Sequence, residues 1–144
     1  MVSPLFVKEL RQYGQTLRTY RARTMVSSIA SDETLKEVRA AMRGVVEEGT
    51  GRILKSRYYK VGGKTGTAQN RGHDHSVFMG FAPMNNPKIA IAVYVENGGF
   101  GAVYGVPIGA LMMEQYLKGK LSPENEIRAE EYSNRVIMYG NEER

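Results

Sequence analysis

Between residues 31 and 50 the apolar side chains recur at helical spacing. Leu35, Val38, Met42 and Val45 form one stripe, widened by Ala41 and Val46, which predicts an amphipathic helix. Ser31 or Asp32 is placed to cap its start, and Asp32 and Glu33 put negative charge where the helix dipole favours it. Gly49 suits a left-handed residue just past its end, and Gly44 is a mild interior cost that close packing would offset. Ahead of this helix, LFVKEL and TLRTYRARTMV flank RQYGQ between Leu5 and Val26. Their imperfect alternation, with Gly14 as the turn residue, predicts a hairpin.

Downstream the period drops to two. RYYKVGGKTGTAQ, SVFMGFA and KIAIAVYVE read as three strands, joined by NRGHDH and PMNNP. Such short connections imply antiparallel pairing. Tyr58 and Tyr59 would alternate across the first strand as core and rim. NGGFG ends the third strand, and a second helix is expected from Val106 to Lys118, with Pro107 at its first position and Gly119 just past its end. Ile108, Leu111, Met112 and Leu117 would face the sheet, and Met112 and Met113 read as core filler. Past Leu121 the chain turns highly charged, and Ser122-Pro123 predicts a short amphipathic helix followed by a frayed end. The resulting expectation is an α+β fold, an antiparallel sheet of three strands plus an N-terminal hairpin packed against helices. It places one domain over residues 1–120 and a charged tail over 121–144.

Composition narrows the classes. With 144 residues, 42% of them hydrophobic and 24% charged, the chain can bury a core. It has no cysteine, which removes disulfides and thiol chemistry. No apolar run approaches the ~20 residues of a membrane span, and no signal-peptide pattern opens the chain. The net charge is +5, with Arg11, Arg18, Arg21 and Arg23 early and Arg52, Lys55, Arg57, Lys60 and Lys64 later. No nucleic-acid motif accompanies them, so a nucleic-acid partner is not expected. His73-Asp74-His75 reads as an exposed or structural loop segment rather than a metal site.

The candidate chemistry lies in VGGKTGTAQN, Val61 to Asn70. A phosphate-binding loop needs a glycine five positions before Gly63 and a helix after the lysine. Position 58 is Tyr58, and a strand follows, so that reading fails. On a strand, Lys64 and Gly66 share one face and Thr65 and Thr67 the other. A Lys-Thr-Gly strand of this kind resembles one of three elements of penicillin-binding proteins and serine β-lactamases, and that resemblance implies acyl transfer. The Lys64 ammonium attracts a substrate carboxylate, the threonine hydroxyls add hydrogen bonds, and Gly66 lets a substrate approach the backbone. A free strand edge can pair with a peptide, and the Thr67 N–H can face a developing oxyanion.

The segments MRGVVEEGTGR, GGKTGTAQ, DHSVFMGFAP and KIAIAVYVENGGFG resemble, in this order, the last part of the transpeptidase domain of class B penicillin-binding proteins. The Asp74-His75-Ser76 start of the second strand and the VENGGFG exit resemble most the elongation-type member, penicillin-binding protein 2. The resemblance covers roughly residues 4 to 118. It implies the β-lactamase/transpeptidase-like fold and a D,D-transpeptidase that cross-links peptidoglycan stem peptides through a serine acyl-enzyme and is acylated by β-lactams. It also implies no cofactor, a membrane anchor with the enzyme facing the periplasm, and a membrane glycosyltransferase partner. Lys64, Thr65, Gly66 and Thr67 match the substrate-binding strand, with Lys64 and the Thr67 N–H in catalytic roles. His75 matches a position at the strand start, where it would order the loop beside the groove.

The family's nucleophile stands in Ser-x-x-Lys, and none of this chain's serines has a lysine three positions on; Ser-x-Asn is absent as well. The chain therefore reads as a C-terminal piece, inactive alone. In the family, the strand matching residues 88–96 pairs with one from the N-terminal part. Here it would be an open apolar edge through which copies self-associate. The alternative class is a non-catalytic sensor or binding module that keeps the groove; Ser-x-x-Lys upstream would decide between them.

Overall fold

The computed structural model describes residues 1–137 and comprises two compact units, with the boundary between Lys36 and Glu37. In the first unit, strands β1 (Glu9–Gln12) and β2 (Gln15–Thr19) pair antiparallel. Tyr13 and Gly14 link them, with φ of 48° and 80°, the positive values a two-residue hairpin turn requires. The hairpin is shorter than the predicted Leu5–Val26. Its side chains are almost all exposed, so burial does not extend the ladder; beyond it only Val2 bridges Thr24.

Helix α1 spans Asp32–Glu47. Of the two candidate caps, Ser31 serves: its hydroxyl accepts the Thr34 N–H at 3.2 Å. Gly49 is not left-handed. Instead its N–H reaches the Gly44 carbonyl at 3.3 Å, and a Cβ there would lie 2.9 Å from the Val45 carbonyl oxygen, so the glycine answers crowding. At Gly44 a Cβ would meet nothing within 4 Å, so close packing does not explain that residue.

The second unit holds the sheet. Strands β3 (Gly62–Ala68), β4 (His75–Ala82) and β5 (Ile89–Val95) run antiparallel in the order β3-β4-β5, as expected. Thr65, Phe78 and Val93 lie opposite one another. β3 begins later than predicted. Tyr58 and Tyr59 lie outside it, after a 3-10 turn at Arg52–Leu54, with Tyr58 57% exposed and Tyr59 packed on the core. Arg43 donates to the Val61 carbonyl at 3.1 Å and Arg39 to the Met84 carbonyl, which ties the second half of α1 to the chain just before β3 and just after β4.

Helix α2 (Gly105–Lys118) covers one face of the sheet and ends at Gly119, whose φ of 73° closes it as the sequence indicated. It begins two residues before Pro107. Its buried stripe is Val106, Ala110 and Met113, flanked by Ile108, Leu111 and Leu117. Met112, expected inside, is 53% exposed, because Gly109 and Ala110 bring the helix so close that the sheet-facing stripe is made of its smaller residues and Met113. Phe78 is fully buried at the centre of this contact. Added Cβ atoms at Gly63, Gly80 and Gly109 would lie 2.6, 2.7 and 2.6 Å from its ring, and one at Gly105 would lie 3.0 Å from its Cβ. Four glycines thus shape a slot around one aromatic ring.

Helix α3 (Pro123–Ser133) is the short helix predicted after Ser122; the expected frayed end lies outside the described residues. Glu114, only 5% exposed, ties it to α2. Its carboxylate accepts Lys118 Nζ at 2.7 Å, the Ser122 N–H at 3.3 Å and hydroxyl at 3.2 Å, and Asn125 Nδ2. Burial alone would raise its pKa. The hydrogen bonds from Asn125, Lys118 and Ser122 and the Lys118 charge outweigh burial and lower it from 4.5 to about 2. A folded pKa below the unfolded one means the stabilisation is complete above about pH 4.5 and is lost as pH falls toward 2. In an amide NMR titration, the Ser122 and Asn125 signals should move to unfolded positions only in that acid range. Loss between pH 7 and 5 would show that another group holds α3.

Candidate functional site

The Lys64–Thr67 stretch occupies β3, whose other edge has no strand partner among the described residues. The register places Lys64 opposite Met79 and Gly66 opposite Val77, on the face away from α2. Thr65 and Thr67 lie opposite Phe78 and Ser76, on the α2 face. Lys64 is exposed, and its Nζ donates to the Thr65 carbonyl at 2.5 Å. That carbonyl therefore points to the open edge, and by alternation the Thr67 N–H points the same way. The Thr65 hydroxyl is 2.8 Å from the Thr50 hydroxyl, which orients it; Thr67 is exposed.

Gly66 differs from its neighbouring glycines. A Cβ at Gly63 would strike Phe78 at 2.6 Å, but one at Gly66 would meet only Val77, at 3.6 Å. Among the described residues nothing crowds that position, which leaves open space beside the strand. Behind Gly66 the situation is reversed. A Cβ on Gly101 would lie 2.6 Å from the Gly66 oxygen and 2.5 Å from the Val77 oxygen, so the segment after β5 presses directly on the strand's main chain.

That segment is fastened to the start of β4. The Gly99 N–H donates to the Asp74 carbonyl at 2.7 Å, and the Asn97 N–H to His75 Nδ1 at 2.9 Å. The His75 ring stands 5.1 Å from that of Tyr94. The fully buried Ser76 hydroxyl donates to the Phe100 carbonyl at 2.9 Å and accepts the Gly105 N–H at 3.0 Å, joining loop and helix start. DHS and NGGFG are thus two halves of one contact. Sequence reasoning singled out both segments but assigned no role to Ser76 or Gly101 within them, nor to Thr50. For Ser76 a signal existed: a small hydroxyl at an inward position of an apolar strand needs a buried partner. Among the described residues no three metal-ligating side chains converge.

The family described as penicillin binding protein transpeptidase domain matches residues 1–114. The chain belongs to this family. Peptidoglycan D,D-transpeptidase MrdA of Acinetobacter baumannii is 41% identical over 87 residues, which is 49% of this chain and 13% of that protein. The structure of Pseudomonas aeruginosa PBP2 in complex with WCK 5153 matches with a TM-score of 0.56 and 36% identity, covering 76% of this chain and 24% of that one. An imipenem acyl-enzyme complex of penicillin-binding protein A from M. tuberculosis matches with a TM-score of 0.58 and 27% identity, over 72% and 23%. The transpeptidase match thus spans a small part of its relatives' length, and they support the penicillin-binding protein 2 type that DHS and NGGFG indicated. Among the described residues, no helix of this transpeptidase segment is long and apolar enough to cross a membrane.

Proposed function

We propose that this chain is the substrate-facing strand region of a serine-type peptidoglycan D,D-transpeptidase, with residues 121–144 an appendage to residues 1–120. The observation that carries the reading is β3: an open edge, an exposed lysine, and a glycine its own fold does not need. A stem peptide pairs with that edge as an added strand. Lys64 and the hydroxyls of Thr65 and Thr67 hold its carboxylate, and the Thr67 N–H stabilises the oxyanion as the acyl bond forms on a serine supplied from outside residues 1–144. β-Lactams occupy the same edge. The whole protein is read as membrane-anchored, facing the periplasm and working with a membrane glycosyltransferase. No cofactor enters this chemistry.

Alone, this chain forms no acyl-enzyme. A fluorescent penicillin should leave the 144-residue chain unlabelled after denaturation and label the full-length protein; covalent labelling of the short chain would overturn the assignment of the nucleophile.

β5 also has an open edge among the described residues, with Ala90, Ala92 and Tyr94 exposed. We expect the isolated chain to self-associate through residues 88–96, and a lysine at Ala92 to weaken this. Sedimentation at rising concentration tests it, and a single monomeric species at high concentration argues against it.

A further inference from the structure

A cavity of about 550 Å³ opens between the 3-10 turn, α2 and α3, away from the Lys64–Thr67 edge. Its lining includes the cations Arg52, Lys55, Arg57 and Arg128 and the carboxylates Glu114 and Glu124. Both carboxylates are already committed. Glu114 holds Lys118, Ser122 and Asn125, and Glu124 pairs with Arg128 at 3.1 Å. The cations are less fully used. Arg52 spends Nε and Nη2 on the Glu48 carbonyl, at 3.1 and 2.7 Å. Lys55 has only a long, exposed pairing to Glu47 at 3.6 Å. Arg57 makes no hydrogen bond or ion pair among the described residues and rests 5.0 Å from the centroid of the Tyr58 ring. Lys118 sits over the same ring at 4.1 Å. Lys118 is neutralised by Glu114, so Arg57 is the lining cation without a hydrogen-bonded or ion-paired partner among the described residues, at a cavity lined by four cations against two carboxylates, and an anion placed there supplies that partner.

We propose that this cavity is a second binding site, for a phosphate-type oxyanion carried on a small polar molecule. The volume suits a small ligand rather than a protein segment. Guanidinium forks match phosphate oxygens two at a time, and the Lys55 ammonium adds a movable third donor. One wall is α3, which lies beyond the residues matched by the transpeptidase family, so the site is formed by an element outside that match. Glu114 keeps the wall in place, Arg128 is taken by Glu124 and Asn125, and Arg57 and Lys55 are the lining cations with the fewest commitments.

The test is an amide NMR titration of the 144-residue chain with pyrophosphate at constant ionic strength. Shifts should saturate and cluster at residues 55–59 and 122–128. R57Q and K55Q, each with an otherwise unchanged spectrum, should weaken binding by roughly tenfold or more, as loss of a charge-assisted contact does. R21Q in the hairpin should leave it unchanged. Parallel co-sedimentation with phosphatidylglycerol vesicles separates the sources. Binding to both probes, each sensitive to R57Q, assigns the oxyanion to a lipid headgroup, and binding to pyrophosphate alone assigns it to a soluble ligand. Shifts spread over all basic residues, indifference to R57Q, or binding of neither probe overturns the proposal.

Discussion

Phe78→Ala should lower the stability of the chain by about 3–5 kcal/mol, the usual range for emptying a fully buried aromatic site. For a domain of this size that is a fall in melting temperature of about 10–20 °C. The slot around the ring makes a sharper prediction. Gly109→Ala puts a methyl 2.6 Å from two ring carbons of Phe78, so the ring or the helix must move. That overpacking should cost about 1–3 kcal/mol in the wild-type background. With Phe78 truncated, most of this cost should vanish, giving a coupling of at least ~1 kcal/mol between the two positions. Urea denaturation of the four chains, followed by far-ultraviolet circular dichroism, closes the cycle. Additive costs would mean that α2 is held off the sheet by other contacts and that the glycine slot is incidental.

The second large effect is on acylation rather than folding. In the full-length protein, Lys64→Ala should slow acylation by a fluorescent penicillin roughly 10- to 100-fold, the scale of losing a hydrogen bond to a charged group. Lys64→Arg should recover part of it, since the charge remains but the compact ammonium does not. Neither change should disturb the fold, because Lys64 is exposed and its one hydrogen bond goes to the adjoining Thr65 carbonyl. Gly66→Ala is the companion variant. Its new methyl finds room beside Val77 at 3.6 Å, so stability should hold while acylation drops. Variants that melt normally and acylate normally would remove β3 from the site.

Much of this was legible in the residues themselves. The helix α1, the period of two in β4 and β5, the Gly14 turn and the Gly119 stop are local signals that the structure places where the pattern indicated, whereas β3 starts only at Gly62 and the α1 stripe leaves Val38 exposed. Lys64–Thr67 was legible as a strand segment, and the role proposed for it rests on its residue types standing in adjacent positions. What could not be read depends on contacts between distant residues. Tyr58 and Tyr59 alternate like a strand, but among the described residues no strand pairs with them. Met112 and Met113 are alike to a periodicity rule; which one is buried depends on how closely Gly109 lets the helix approach Phe78. Gly49, Gly63, Gly66 and Gly101 look the same in sequence, yet one is crowded by its own helix, one by a ring, one by nothing and one by another strand's backbone.

The contact of Gly101 with Gly66 and Val77 bears on inhibitor design. A strand that can bend away accommodates a bulky compound by yielding, and part of the binding energy goes into that deformation. Here the strand is backed by main chain, held by the buried Ser76 hydroxyl and the Asn97–His75 bond, so it cannot recoil. If β3 is the binding edge proposed above, a compound laid along it meets a preformed template, and its affinity depends on how rigidly it presents its own hydrogen-bonding edge. Bulk is tolerated on the Lys64 side, toward solvent and Met79, and refused against the sheet. Compounds stiffened in an extended shape should therefore gain more here than compounds merely enlarged.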